Sequence, residues 1–266
     1  MIMNSRFTRL ANNWYDMAPE KTDHSFYFDR NNIQNKTMAT GHSTDWFRVL
    51  LYELSDNEQK KKLDGFKTKI IGNKCLLRLG IEYNGSTPFF TPFLQVSPGS
   101  PTQISDDTCF DLKAEDHISS ENLRSEPLLF IGEKDDTAPV LKSFTIPPEL
   151  VLELQNNWLM TSPAVTADHF KVIDWKNPKS THSQSALPSV EVVRYYTFDI
   201  VQNLGEERIA AITKIQLSMG LNLNQQVSDR PTFAPILIFT LTTVNEDGSG
   251  ENQIAVDLAN PCPPTC

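Results

Sequence analysis

The sequence predicts an α+β protein made of two tandem copies of a small domain, each with one or two helices packed on a mainly antiparallel sheet. The first observation is that residues 10–14, LANNW, recur 144 residues later as LQNNW at 154–158. The second is that the motifs after the tryptophan recur in the same order, with offsets that drift by only a few residues, as loop insertions and deletions would produce. The third is strict apolar alternation over residues 215–223, which is typical of a half-buried antiparallel strand.

The repeat sets the predicted domain boundaries. Copy 1 is expected over residues 1–115 and copy 2 over residues 145–266, with residues 116–144 as a linker. A chain of 266 residues is long enough for two domains that each have a core of their own. Within the linker, the apolar run at 128–131 is too hydrophobic for solvent, so we expect it to pack as an extra strand or between the domains.

Each copy is predicted to begin with an amphipathic helix, over residues 4–14 and 148–160. Apolar residues at steps of three and four define one face of each helix. These are Phe7, Leu10 and Trp14 in the first copy, and Val151, Leu154 and Trp158 in the second. The position of the two tryptophans on these faces favours a role as core anchors over a role as ligand platforms.

Strands are expected to follow in the same order in both copies. The predicted strands lie at 24–29 and 169–174, at 46–54 and 190–201, and at the alternating segments that contain Gly80 and Gly220. Because the alternating residues Gln216, Ser218 and Gly220 are polar or small, one face of that strand is predicted to be wet. A glycine on such a face indicates a bulge or a close approach by another segment.

The remaining elements are predicted from prolines, turns and charge. Prolines at 88 and 92, and again at 231 and 235, mark edge strands or sheet entries because they cannot donate a ladder hydrogen bond. Copy 2 continues along residues 236–244, turns, and returns along 254–258. Between the second and third strands, copy 1 is expected to insert a lysine-rich helix, whereas copy 2 is expected to have only a turn at 203–207.

Composition excludes several classes of partner. The net charge of −9 opposes binding to nucleic acid, which requires clustered lysine and arginine to neutralise phosphates. No apolar run approaches the length of a membrane span, so we predict no membrane partner and a cytoplasmic location.

The four cysteines fall into two groups. Cys75 and Cys109 align with apolar or small residues of copy 2, which predicts buried free thiols. Cys262 and Cys266 have no counterpart in copy 1, and they are interpreted either as part of a flexible tail, or as a small disulfide loop or half of a metal site. Because no second pair of cysteines or histidines at zinc-like spacing accompanies them, neither a metal nor a cofactor is predicted.

Candidate binding residues are the polar side chains that both copies keep. They are Asp23, His24, Asp29 and Arg48 in copy 1, and Asp168, His169, Asp174 and Arg194 in copy 2. An arginine on an apolar strand face is costly unless it is paired, so we predict that Asp29 pairs with Arg48 and that Asp174 pairs with Arg194. Each pair is either a structural clamp or a ligand anchor, and either aspartate could instead cap a helix or form a turn. Adjacent Asp and His residues point to opposite sides of a strand, so no catalytic dyad is predicted.

Several of these features together resemble a group of small uncharacterised bacterial proteins. The residues that carry the resemblance are the helix with a late tryptophan, the short strand that ends in an acidic residue, the arginine-bearing apolar strand, the alternating strand and the Cys-Pro-Pro-Thr-Cys ending at 262–266. The resemblance implies no activity, since none is assigned to the group. The present chain departs from the group's pattern because it carries two copies and lacks the cysteine ending in the first.

The sequence favours a non-enzymatic binding or assembly module with a protein partner or self-association. It contains no phosphate-binding loop, no glycine-rich dinucleotide turn, no nucleophile elbow and no His-Glu-x-x-His motif. Two alternatives stay open at this point. One is a hydrolase or lyase that uses Asp and His between the copies, and the other is a carrier of a small ligand.

Overall fold

A computed structural model describes residues 5–16, 27–29, 46–54, 60–97, 103–114, 146–160, 169–174, 189–227, 230–245, 248–256 and 260–262. Within this part of the chain, helices combine with antiparallel sheets, which confirms the predicted α+β class. The helices are α1 (Arg6–Asp16), α2 (Lys60–Ile70), α3 (Pro148–Met160), α4 (Ile200–Leu204) and α5 (Glu206–Ala210), with one 3-10 turn at Asp106–Thr108. No helix among these described segments is both long enough and apolar enough to cross a membrane.

Eighteen strands are described, most of them short. In chain order they are β1 (Tyr27–Asp29), β2 (Trp46–Arg48), β3 (Leu51–Leu54), β4 (Lys74–Arg78), β5 (Ile81–Asn84), β6 (Thr87–Phe90), β7 (Phe93–Ser97), β8 (Cys109–Asp111), β9 (Lys113–Ala114), β10 (Lys171–Asp174), β11 (Ser189–Val192), β12 (Tyr195–Phe198), β13 (Ile212–Ser218), β14 (Leu221–Val227), β15 (Arg230–Phe233), β16 (Ile236–Asn245), β17 (Gly248–Val256) and β18 (Asn260–Cys262). The return strand β17 confirms the predicted hairpin with β16.

Two five-stranded sheets organise the molecule. Sheet I has the order β18-β12-β4-β7-β8, and sheet II has the order β17-β16-β13-β3-β9. Sheet I therefore takes β12 and β18 from the C-terminal half, and sheet II takes β3 and β9 from the N-terminal half. The boundaries predicted at residues 115 and 145 stay a prediction, but neither half builds its sheet alone.

The exchanged strands pair in matching registers. In sheet I, Cys75 lies opposite Phe198, Leu77 opposite Tyr196 and Arg78 opposite Tyr195; in sheet II, Ile215 lies opposite Leu54, Leu217 opposite Tyr52 and Ser218 opposite Leu51. Each pair between β12 and β4 thus has an equivalent between β3 and β13, at the same place along the strands. The apolar patterns could not predict this exchange, because alternation shows which face is buried but not which strand is the neighbour.

One hydrophobic core lies between the inner faces of the two sheets. It includes Leu77 and Leu94 of sheet I with Leu217 and Phe239 of sheet II. At its centre, the Phe170 ring lies 5.0 Å from the Trp14 ring and 6.3 Å from the Trp158 ring, measured between centroids. Residues from both halves therefore share one interior.

The outer face of each sheet is covered by one helix. Phe7 and Leu10 of α1 pack with Phe93 and Cys109 of sheet I. On sheet II, α3 packs in the same way through the apolar residues Val151 and Leu154 against Ile236, Ile238 and Ala255. The bounds predicted for α3 are confirmed, and α1 begins and ends two residues later than predicted.

The two tryptophans are buried, as predicted for core anchors. The indole Nε1 of Trp14 donates to the Val193 carbonyl at 2.9 Å, and that of Trp158 donates to the Val49 carbonyl at 3.1 Å. Each helix thus bonds to a carbonyl of the opposite half of the chain. This satisfies the polar end of each indole inside an apolar core.

The two strands predicted at 46–54 and 190–201 are not continuous. Each is interrupted where its carbonyl accepts the tryptophan bond, at Val49 and at Val193. The residues that follow accept from the end of the neighbouring strand in the same sheet: Met219 N–H donates to the Leu50 carbonyl at 2.8 Å and Leu79 N–H donates to the Arg194 carbonyl at 3.4 Å. At each break the chain leaves a two-stranded sheet, β1-β2 or β10-β11, and enters a five-stranded sheet.

The turn predicted at 203–207 was wrong, because helices α4 and α5 occupy that connection. The Asp199 carboxylate accepts from the Gln202 N–H at 3.1 Å and so caps α4. In the N-terminal half, the predicted lysine-rich helix is present as α2. Lys67 of α2 donates to the Ile212 carbonyl just after α5, so the two connections lie side by side.

The wet face predicted for the alternating strand was also wrong. Gln216 and Ser218 are buried, and Gln155 Nε2 of α3 donates to Ser218 Oγ at 2.7 Å. The polar alternation therefore marks a face covered by a helix. The close approach predicted at the glycines is confirmed, since a Cβ at Gly80 would lie 3.1 Å from Leu10 Cβ and one at Gly220 would lie 3.0 Å from Leu154 Cβ.

The buried thiols Cys75 and Cys109 are free, as predicted. Burial raises the pKa of both thiols, that of Cys109 to about 12, so each stays protonated near neutral pH. The side chain of Cys262, the whole of Cys266 and the apolar run at 128–131 lie outside the described residues.

Candidate functional site

Three of the predicted candidates, Asp23, His24 and Asp168, lie outside the described residues. His169 lies just before β10 and is buried beside the aromatic core residue Phe170. Of the predicted Asp and His residues, it is the one whose side chain the structure places.

The backbone register bears on the predicted pair of Asp29 and Arg48. Tyr27 lies opposite Arg48 and Asp29 opposite Trp46, so Asp29 and Arg48 are on adjacent strands, two positions apart. In the other hairpin, Lys171 lies opposite Val192 and Asp174 opposite Ser189. The side chains of Asp29, Arg48 and Asp174 lie outside the described part, so both predicted ion pairs stay predictions.

Arg194 does not lie on an apolar strand face as predicted. It is exposed in the break between β11 and β12. Its guanidinium carbon lies 4.4 Å from the centroid of the Tyr15 ring, and its Nη2 donates to Tyr15 Oη at 3.1 Å. The described contact of Arg194 is therefore a stacked and hydrogen-bonded tyrosine in the last turn of α1.

A second stacked arginine lies next to it. The guanidinium carbon of Arg78 lies 4.4 Å from the centroid of the Tyr195 ring, and Arg78 Nε donates to Gln95 Oε1 at 2.8 Å. Gln95 in turn donates to the Gln103 carbonyl at 2.6 Å. Arg78 and Gln95 are both buried, so this network fixes the position of the Tyr195 ring.

The charges of both arginines act on Tyr195. Burial raises the pKa of its phenol, while the positive charges of Arg78 and Arg194 act to lower it. Burial also lowers the pKa of Arg78, against the opposing effects of Tyr195 and Cys109. The phenol therefore stays neutral at physiological pH and can donate a hydrogen bond.

We call Tyr15, Arg78, Arg194 and Tyr195 the Arg–Tyr cluster. It lies where the last turn of α1 meets strand β12 of sheet I. Edge strand β18 pairs with β12 there, with Cys262 opposite Tyr195. A positive charge next to a helix C-terminus is favourable because the exposed carbonyls there carry partial negative charge.

The other half of the molecule has a different set of residues at the matching positions. Leu159 follows Trp158 as Tyr15 follows Trp14, and Leu50 and Leu51 follow Val49 as Arg194 and Tyr195 follow Val193. Ser218 lies opposite Leu51 as Arg78 lies opposite Tyr195. The cluster of two arginines and two tyrosines is thus matched by three leucines and a serine.

The sequence comparison treated Arg48 and Arg194 as equivalent residues, so it did not show that the two halves differ at the cluster positions. The tryptophan bonds match Val49 with Val193, which places Val192 at the position that corresponds to Arg48. One signal in the sequence could have revealed the cluster, since Arg78 and Ser218 occupy the same position of the two alternating strands.

The donors of the cluster are of a kind that suits anionic groups. Guanidinium groups present several N–H donors in a plane that suits carboxylate and phosphate oxygens, and the phenols add further donors. The cluster contains no carboxylate, thiol or imidazole. Among all described residues, no group of three or more His, Cys, Asp or Glu residues is arranged to hold a metal ion.

A search of protein-family models found no match to the chain, and searches of curated proteins and of solved structures also found no significant match.

Proposed function

We propose that this chain is a non-enzymatic binding and assembly module, with a scaffold of two fused copies of one α+β unit. The reciprocal exchange of β3 and β12 between the sheets carries the proposal. Two separate copies that exchanged these strands around a two-fold axis would form the same contacts, because a symmetric interface places each contact twice. Fusion of such a dimer would give the present order of elements.

Matched contacts outside the sheets support the same origin. Asn13 Nδ2 donates to the Ile81 carbonyl at 3.1 Å, and Asn157 Nδ2 donates to the Leu221 carbonyl at 3.2 Å. Thr91 N–H donates to Gly80 and Ala234 N–H donates to Gly220, at 2.8 and 2.9 Å. Such agreement in both side-chain and backbone bonds is expected when two segments share one ancestral packing.

The binding role is supported by the Arg–Tyr cluster, because the matching half shows that the scaffold can use leucine and serine there. This observation also favours the small-ligand carrier as a second candidate. With a net charge of −9, the partner we propose is a protein, a second copy of the chain or a small ligand, rather than nucleic acid. We propose that the module acts in the cytoplasm.

Cutting the chain between the halves tests the assembly proposal. A specific protease site placed within residues 116–144 should be cleaved without separating the products, since β4 and β13 each keep a neighbour from the other half. We expect the two fragments to elute together in size-exclusion chromatography, with light scattering that gives the mass of the intact chain.

The uncut variant is the control for that experiment, and urea should release both fragments at once. Fragments that separate in native buffer while each remains folded would contradict the proposal. Light scattering of the intact chain and capture of partners from the native source then test association directly. A solitary monomer that captures nothing would count against the proposed assembly role.

A further inference from the structure

The two halves provide an internal comparison of what the fold requires. Strand pairs, tryptophan bonds and glycine contacts are the same in both halves. The positions of the Arg–Tyr cluster differ, because the other half has Leu159, Ser218, Leu50 and Leu51 there. Burying the Arg78 side chain costs free energy that serine at the matching position does not cost, and the exposed Arg194 stands where the other half has the buried Leu50. The scaffold does not require either arginine, so a second role is needed.

Arg194 is arranged to bind a further group. Stacking on Tyr15 occupies one face of its guanidinium, whereas hydrogen bonds to oxyanions are made in the guanidinium plane. Because Tyr15 Oη accepts from Arg194, the Tyr15 hydroxyl proton remains to donate elsewhere. More than half of Tyr15, 57%, is exposed, so a ligand in solvent can reach this pair.

Tyr195 and Arg78 complete the arrangement from the sheet. The Arg78 guanidinium stacks on Tyr195 and is held by Gln95, which in turn is bonded to the Gln103 carbonyl. Arg78 is thus a positioning residue that holds the Tyr195 ring, and the charge of Arg194 also acts on the Tyr195 phenol. Preorganised donors bind a charged group more tightly because less side-chain entropy is lost on binding.

We propose that the Arg–Tyr cluster is a binding site for an oxyanion, the carboxylate or phosphate group of a small ligand, held by Arg194 with the Tyr15 and Tyr195 hydroxyls. This inference deepens the proposed binding function by naming its ligand class. Two neighbouring positive charges on a chain of net charge −9 concentrate anions locally, and the attraction weakens as salt rises.

Titration of the full chain with two probes tests the site. Inorganic phosphate and succinate, added separately at low ionic strength, are followed by amide and arginine side-chain NMR shifts. We expect saturable shifts at the cluster for at least one probe, and the probe that binds distinguishes a phosphate ligand from a carboxylate ligand. Absence of saturable shifts with both probes overturns the proposal.

Variants that copy the matching half give the sharper test. Arg194→Leu and Tyr15→Leu introduce the residues found at the matching positions, and each should weaken binding about ten-fold or more, because a charge-assisted bond is lost. Arg9→Leu is the control, since it removes the same charge from an exposed site on the same helix. Equal weakening by Arg9→Leu and Arg194→Leu would show a general charge effect and overturn the proposal.

Urea unfolding of each variant checks that the fold is kept. If a leucine variant fails to fold, Tyr195→Phe still tests the site, because it removes one hydroxyl with little change in packing. Unchanged affinity in Tyr195→Phe and in either leucine variant also overturns the site. If light scattering and partner capture show a solitary monomer while the intact chain still binds phosphate or succinate, the assembly proposal fails and the oxyanion site stands.

Discussion

Replacing Trp158 with alanine should lower the free energy of unfolding by about 3–5 kcal/mol. The Trp158 side chain is fully buried, and its ring packs 5.8 Å from the Phe233 ring and 6.3 Å from the Phe170 ring, between centroids. Alanine would leave a cavity in the aromatic centre of the core that rigid rings cannot close. Urea unfolding followed by circular dichroism would measure the loss.

Trp158→Phe separates packing from hydrogen bonding. Phenylalanine keeps most of the ring but leaves the Val49 carbonyl without the indole N–H, which should cost about 1–3 kcal/mol. Trp14→Ala is the matched variant, and its loss should be similar because Trp14 bonds the Val193 carbonyl and packs on Phe170. A loss below about 1 kcal/mol for Trp158→Ala would contradict the anchor role.

Both expected losses of stability have one structural cause, which is that the two halves of the chain exchange strands β3 and β12. Trp158 belongs to α3, but its bond fixes the break between β2 and β3 in the N-terminal half. Trp14 fixes the corresponding break after Val193. Damage in one half should therefore destabilise the other, and both halves are expected to unfold in a single cooperative transition.

Much of the local structure was predictable from the sequence. Steps of three and four on a strongly apolar face predicted α1 and α3, because a helix must bury such a face. Alternation predicted β13, and the glycines that follow β4 and β13 correctly indicated a close approach. Each of these features depends on residues that are close in sequence.

The features that were missed depend on contacts distant in sequence. The helix that covers Gln216 and Ser218 could not be inferred from the sequence. A polar residue type does not show whether the side chain is exposed to solvent or buried and hydrogen-bonded to a helix. The break at Val193 requires the Trp14 indole from the far end of the chain. The sequence comparison likewise aligned Arg48 with Arg194 because both are arginine. The hydrogen bonds from the two tryptophans instead make Val49 correspond to Val193.

The second large effect is expected at Gly80. A Cβ there would lie 2.5 Å from the Thr91 carbonyl oxygen and 3.1 Å from Leu10 Cβ, and the Thr91 N–H bond to Gly80 holds the two backbone segments together. Gly80→Ala must therefore push α1 or the β6–β7 connection outward, and should cost about 1–3 kcal/mol. Thermal and urea unfolding would measure this cost.

Gly65→Ala is the opposite control. In α2 a Cβ at Gly65 would meet Phe110 Cε1 at 3.8 Å, an ordinary contact, so alanine should stabilise the helix by about 0.5–1 kcal/mol. If Gly80→Ala proves as stable as the parent chain, the close packing of α1 on sheet I is contradicted.

The same glycine links stability to the proposed site. Leu10, which Gly80→Ala would displace, lies on the helix that carries Tyr15, so the variant should also weaken oxyanion binding. Gly220→Ala makes the matched change under α3, where a Cβ would lie 3.0 Å from Leu154 Cβ and 2.9 Å from the Ala234 carbonyl oxygen. It should lower stability in the same way while leaving phosphate or succinate affinity unchanged, because the cluster contains no residue of α3. Equal loss of affinity in both glycine variants would mean that binding follows overall stability rather than the position of α1.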